Sequence, residues 1–138
     1  RLLPVVVGAA WSRALVRVNP DATIDVRGEA VGANAHTCTL DGNGLAFDRN
    51  TGWYAGPQPA HDMDPPQWRG APMRVLMFWD DRVEVFQNGH SRAGEGEGDP
   101  RFSDYASCGA RAGFSQMVRV PVAEEELRRM FESYADMD

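Results

Sequence analysis

The stretch MRVLMFWDDRVEVFQ, residues 73 to 87, decides the fold class of this chain. An apolar run over residues 73–79 contains a single arginine, and Asp80-Asp81 separates it from a second run in which Arg82, Glu84 and Gln87 alternate with apolar residues. Two such runs around a two-residue polar turn are typical of a β-hairpin. We therefore predict two antiparallel strands here, with one face in a core and one in water.

Short strands separated by turn residues are predicted on both sides of this hairpin. Residues 23–30 alternate polar and apolar with a period of two, and residues 15–18, 52–54 and 113–120 are further short apolar pieces. Residues 36–40 and 45–47 predict a second hairpin that turns at Asp41-Gly42-Asn43-Gly44. Seven to eight such strands predict a mainly β protein, either a sandwich or a small barrel. Of the two we predict the single small antiparallel β-barrel.

The C-terminal end has the pattern of a helix over residues 122–136. Three glutamates at 124–126 suit the positive end of a helix dipole, and apolar residues recur along one stripe at Leu127, Met130, Phe131 and Tyr134. We expect this stripe to cover an end or an edge of the barrel, and a partner-binding surface is the alternative. Residues 55–72, with five prolines, and residues 88–101 are predicted loops.

The chain of 138 residues has the length of one domain. We divide it into a barrel over residues 12–120 and a helix over 121–138. Residues 1–12 are either a signal-peptide remnant, given Arg1 and the apolar run after it, or an ordered first strand. A signal remnant predicts export to the periplasm or the medium.

Charge excludes one class of partner. All 14 basic residues are arginines, and 20 acidic residues give a net charge of −6. Nucleic-acid binding needs a basic surface, so we predict none, whereas a basic protein partner is compatible with this charge. No apolar run is long enough for a membrane-spanning helix.

The two cysteines, Cys38 and Cys108, fit either one disulfide or two separate buried thiols. Export would favour the disulfide, which is the pairing we predict. If Cys38 points inward, His36 lies on the same side of its strand and is expected to be partly buried.

Motifs for catalysis, metals and cofactors are weak throughout the chain. The sequence His61-Asp62-Met63-Asp64 offers potential ligands, but on a proline-rich loop without fixed spacing, and the acidic residues of 95–99 lack the pattern of a calcium loop. No nucleophile motif or phosphate-binding loop is present. We therefore predict no metal, no cofactor and no enzyme; an assembled site at His36, His61 and Asp64 is the enzymatic alternative.

The segment SCGARAGF, residues 107–114, is the most informative candidate for binding. Its small residues permit a tight turn into the last strand, and Arg111 follows Asp104 and Tyr105 by a few positions. A guanidinium pairs bidentately with carboxylates, so a rigid loop carrying Arg111 suits insertion into an acidic cleft. Pairing of Arg111 with a nearby aspartate, which would close the barrel, is the structural alternative.

Two segments resemble a known group of proteins. AHTCTLDG at residues 35–42 and SCGARAGF at 107–114, with the 73–87 hairpin between them, resemble small exported bacterial β-barrels of the periplasmic lysozyme-inhibitor type. The resemblance implies that Ser107 and Arg111 contact the enzyme, with Ser91-Arg92 as a second candidate pair and Tyr105 beside them. Those domains often carry further cysteines that this chain lacks, which leaves one bridge.

The resemblance and the acidic charge together predict a periplasmic inhibitor or immunity protein. Its partner would be a basic peptidoglycan hydrolase. A lipocalin-like ligand-binding barrel, with a lumen lined by Trp53, Trp68 and Trp79, is the second hypothesis.

Overall fold

The computed structural model describes residues 5–8, 12–32, 36–57, 72–86, 106–108, 113–114, 116–120 and 122–137. The described residues form nine strands and one helix. Their bounds are β1 (Val5–Gly8), β2 (Ser12–Val18), β3 (Ile24–Val31), β4 (Thr37–Phe47), β5 (Tyr54–Gly56), β6 (Met73–Trp79), β7 (Arg82–Val85), β8 (Ala106–Cys108), β9 (Met117–Val120) and α1 (Glu124–Met137).

All nine strands belong to one antiparallel sheet with the order β3-β2-β1-β9-β7-β6-β5-β4-β8. Because β3 also pairs with β4, the sheet returns on itself. Eight strands therefore form a nearly closed barrel, and β8 flanks the N-terminal part of β4. The predicted fold class, a small antiparallel barrel with a C-terminal helix, is confirmed.

The barrel interior is packed with apolar side chains. Alternate residues of β2, β3 and β4 point inward, as the period of two predicts, and lie in one continuous core. Strand β6 departs from this alternation, because its consecutive residues Val75 and Leu76 both belong to the core, next to the irregularity in its pairing with β5. The buried members of the core are Ala14, Val16, Ile24, Val26, Ala30, Cys38, Leu40, Leu45, Val75, Leu76, Val83, Val85, Phe114 and Met117.

The predicted hairpin at residues 41–44 is wrong. Strand β4 runs without a turn through these residues, and β3 pairs with it on both sides of them. Ile24 is opposite Leu45 and Val26 is opposite Gly42. Over this interval β4 therefore contains one more residue than β3. Gly44 has a φ of 63°, a conformation that glycine adopts without strain. The glycine-rich stretch is therefore a β-bulge.

The 73–87 hairpin is confirmed, with β6 and β7 joined at Asp80-Asp81 and Trp79 opposite Arg82. The prediction that its polar residues face water fails at Glu84, which is only 6% exposed. Glu84 is opposite Met77, on the face away from the barrel interior, where a second apolar cluster lies. That cluster comprises Trp53, Met77, Phe86 and Trp79.

Helix α1 lies against the outer face of β2 rather than over an end or an edge of the barrel. Ala14 and Val16 point into the interior, so Leu15 between them points outward, yet it is fully buried. Leu127 and Phe131 of the helix bury it, which confirms their place on the predicted apolar stripe. The last strand, β9, begins at Met117, four residues later than predicted.

The topology gives the barrel two different ends. The short turns of residues 19–23, 48–53 and 80–81 join consecutive strands at one end, which we call the turn end. The connections over residues 32–36, 57–72, 86–105 and 109–116 begin and finish at strand termini of the opposite end, which we call the loop end.

Candidate functional site

Of the predicted partner-binding residues, Ser107 alone falls within the described residues. It is the central residue of β8, and its backbone is opposite Thr39 of β4. Ser91, Arg92, Tyr105 and Arg111 lie outside the described residues. Of the strand termini that flank their segments, Ala106 and Cys108 pair with the N-terminal part of β4, whereas Met117 is opposite Val83 of β7.

The two cysteines are directly opposite one another in the β4–β8 pair. The register aligns Cys38 with Cys108, and the Cys38 side chain is fully buried in the barrel core. Opposed residues of an antiparallel pair have Cα atoms about 4.5–5.5 Å apart, within the range that a disulfide spans. His36, two residues earlier, is exposed, so the expectation that it is partly buried is wrong.

The described part of the chain offers no group of three or more histidine, cysteine, aspartate or glutamate side chains that could hold a metal ion. His61 and Asp64, named as an alternative catalytic pair, lie outside the described residues, as does Trp68. Trp53 and Trp79, expected to line a ligand-binding lumen, belong instead to the cluster on the outer side of β6.

A cluster of polar side chains around Asp25 stabilises the bulge of β4. The carboxylate of Asp25, only 7% exposed, accepts hydrogen bonds from Arg17 Nη2 at 2.6 Å, Asn19 Nδ2 at 2.9 Å and the Gly44 amide at 2.8 Å. Burial acts to raise the pKa of Asp25, but the hydrogen bonds from Asn19, Arg17 and Gly44 outweigh it and the pKa lies below the usual value. The alternation of polar and apolar residues in β3 predicted that Asp25 faces water, and that prediction is wrong.

Arg27 stabilises the same bulge through contacts with residues 41–43. Its guanidinium donates to the Gly42 carbonyl at 3.2 Å and to Asn43 Oδ1 at 2.8 Å, and it pairs with Asp41 at 2.9 Å. Arg17 and Arg27 also lie over the ring of Phe131, 5.0 and 5.8 Å from its centroid. The arginines that hold the bulge therefore also hold α1 on the barrel.

A cleft of about 290 Å³ opens between β2 and the first turn of α1. Residues of both charge signs line it: Arg17 comes from β2, and Glu124, Glu125 and Arg128 come from α1, together with Leu127. Arg128 already pairs with Glu125 within the helix. The cleft therefore has little net charge with which to select a charged ligand.

A further surface, at the turn end, has no signal in the local sequence. Three aromatic rings from three strands form a row there: Phe47 lies 5.4 Å from Tyr54, and Tyr54 lies 5.7 Å from Phe78 in an edge-to-face contact. The guanidinium of Arg119, on β9, lies 5.4 Å from the centroid of the Phe78 ring. We call Phe47, Tyr54, Phe78 and Arg119 the aromatic row.

Comparison with protein-family models, with curated proteins and with solved structures gave no match. In the described residues no helix is both long enough and apolar enough to cross a membrane.

Proposed function

We propose that this protein is an inhibitor that binds and blocks a basic, cell-wall-degrading enzyme of the lysozyme type, and that it has no catalytic activity of its own. The observation that supports this function best is the register of β8 against β4, which fixes Ser107 to the barrel opposite Thr39. Arg111 follows Ser107 by four residues in the chain. A contact residue held next to a paired strand loses little conformational entropy on binding.

Charge supports the same partner. The chain carries a net charge of −6, so a basic enzyme is attracted over long distances and associates faster at low salt. A glycosidase cleft contains two carboxylates, and a guanidinium that enters it can pair with one of them bidentately. Arg111 is the residue we assign to that contact.

We also propose that Cys38 and Cys108 form a disulfide and that the protein works in an oxidising compartment, the periplasm or the medium. The support is the direct opposition of the two residues in the β4–β8 register. A bridge at this point would tie β8, and the segment after it, to the longest strand of the barrel.

The packed interior weighs against the lipocalin-like alternative. A ligand-binding lumen needs free volume lined by apolar groups. In the described strands the inward positions fill a continuous core instead, and Trp53 and Trp79 lie on the other side of the sheet.

The experiment is a muramidase assay with increasing amounts of the protein, run against goose-type, chicken-type and invertebrate-type lysozymes and against co-encoded lytic toxins. We expect inhibition by the wild type, and an inhibition constant about 30-fold higher for Arg111→Ala, equivalent to about 2 kcal/mol for a desolvated charge contact. Raising the salt concentration should slow association.

Arg49→Ala is the matched control, because Arg49 is an exposed arginine on the short 48–53 turn at the opposite end of the barrel. It should inhibit like the wild type. If no enzyme of the panel is inhibited, the proposed function is wrong. If Arg111→Ala inhibits as well as Arg49→Ala, the function stands and the assignment of Arg111 is wrong.

A further inference from the structure

The aromatic row is partly open to solvent although two of its members pack on the barrel core. Tyr54 and Phe78 contact the core and are half-buried, whereas Phe47 at the end of the row is 52% exposed. Val120, next to Arg119 in β9, is 41% exposed. Two of the three exposed large hydrophobic side chains of the described residues therefore lie at the turn end, the third being Val31.

Arg119 supplies the polar part of this surface. Its backbone amide donates to the Asp81 carbonyl at 2.9 Å, which fixes the strand beside the 80–81 turn. Its guanidinium lies over the Phe78 ring, and within the described part of the chain it forms no ion pair. A guanidinium stacked on a ring keeps its hydrogen-bond donors directed outward at its edge, ready for a planar acceptor such as a carboxylate.

The charges around the row define the partner further. Four aspartates occupy the three turns of this end, at positions 21, 48, 80 and 81. Of these, Asp81 pairs with Arg82, and Asp21 and Asp48 accept hydrogen bonds within their own turns. Arg49 and Arg82 lie in or next to the same turns and offset two of these four charges, so a net charge of −2 remains, and it favours a carboxylate that has basic groups beside it.

We propose that the turn end is a second protein-docking surface, and that it takes a segment in which an acidic side chain stands beside an aromatic one on an otherwise basic surface. The acid pairs with Arg119, the aromatic ring packs on Phe47 and Tyr54, and the flanking basic groups face the aspartates of the turns. Tyrosine and arginine beside exposed apolar area are the residue types that dominate binding energy at protein interfaces. Strand β4 alone spans eight residues between Thr39, opposite Ser107, and Phe47, or about 25 Å, so the aromatic row is separate from Ser107.

The test uses two tetrapeptide probes, N-acetyl-Lys-Asp-Phe-Lys-amide and its analogue with Asn in place of Asp, added to ¹⁵N-labelled protein. Amide chemical shifts report where each peptide binds. We expect the Asp peptide to shift the signals of Phe47, Tyr54 and Arg119 saturably and to leave Val31 at the loop end unchanged. The Asn peptide should bind about tenfold more weakly, because it loses the charge-assisted pair with the guanidinium.

Variants separate the parts of the surface. Arg119→Gln should remove the difference between the two peptides, while Phe47→Ala should weaken both equally. Arg49→Gln, which changes an exposed arginine of the neighbouring turn, should bind both peptides as the wild type does. Each variant is compared only after its amide spectrum shows an intact barrel.

Equal binding of the two peptides, shifts centred on the loop end, or the absence of any saturable shift would each overturn the proposal. Shifts of the same signals on raising the protein concentration alone would also overturn it, because they would show that a second copy of the chain covers the row. These outcomes leave the muramidase assay unaffected, so failure here is distinct from failure of the proposed inhibitor function.

Discussion

Replacement of Asp25 by alanine should destabilise the barrel far more than replacement of an exposed acid on the neighbouring strand. The Asp25 carboxylate is only 7% exposed and accepts three hydrogen bonds, and one of its donors, the Gly44 amide, belongs to the bulge of β4. In Asp25→Ala this amide loses its acceptor, whereas Arg17, whose side chain is 43% exposed, can turn to water. We expect a loss of about 3 kcal/mol in the free energy of unfolding, from one charged hydrogen-bond cluster and one unsatisfied amide.

The control is Asp41→Ala. Asp41 pairs with Arg27 but is 58% exposed, so its removal should cost less than about 1 kcal/mol. The measurement is urea denaturation followed by circular dichroism and tryptophan fluorescence, which gives the free energy of unfolding of each variant. Thermal unfolding of the same two variants should show a melting-temperature difference of roughly 10 °C for a domain of this size. If Asp25→Ala and Asp41→Ala have the same free energy of unfolding, the inference that Asp25 stabilises the bulge is wrong.

The pH dependence of stability gives an independent check on the same residue. The pKa of Asp25 lies below the usual 3.8 in the folded protein, because its hydrogen bonds outweigh the effect of burial. A carboxyl group with a lowered folded pKa stabilises the fold above its unfolded pKa, and this contribution is lost as the pH falls through the folded value. Wild type should therefore lose stability on acidification below about pH 4 more steeply than Asp25→Asn does. Parallel acid limbs for the two proteins would contradict the assignment.

Three further predictions concern the helix, a close strand contact and the cysteines. Leu127→Ala should cost about 3 kcal/mol, because Leu127 is fully buried against the outward-facing Leu15, and thermal unfolding measures it; an unchanged melting temperature would contradict the packing of α1. Gly28→Ala should cost about 1–3 kcal/mol in urea denaturation, because a Cβ there would lie 3.0 Å from the Arg13 carbonyl oxygen, a backbone atom that cannot turn away; a neutral result would mean that β2 and β3 separate easily at this point. Titration of the unfolded, unreduced protein should find no thiol at Cys38 or Cys108, and two titratable thiols would refute the proposed disulfide.

The elements whose signals are local were predictable from the sequence. The hairpin of β6 and β7 follows from two apolar runs around Asp80-Asp81, and α1 follows from the stripe that includes Leu127 and Phe131. The number of such runs predicted an all-β fold, either a sandwich or a barrel, and the pairing of β3 with β4 is what makes it a barrel. Ser107, one of the predicted partner-binding residues, lies in β8, a strand that was not among those predicted.

The remaining features depend on contacts between distant segments, which local periodicity does not encode. Residues 41–44 have the composition of a hairpin turn, but β3 pairs along the whole of β4 and Asp25 accepts the amide of Gly44, so the tertiary structure makes a bulge of them.

The burial of Glu84 and Leu15 likewise could not be predicted from the local sequence. Both point away from the barrel interior, and both are buried, Leu15 by α1 and Glu84 beside the outer apolar cluster. The aromatic row takes its four members from β4, β5, β6 and β9, so no window of sequence contains it. The sequence repeat of two or 3.6 residues determined which side of each strand or helix is apolar. Only the tertiary structure determined which other residues that side packs against.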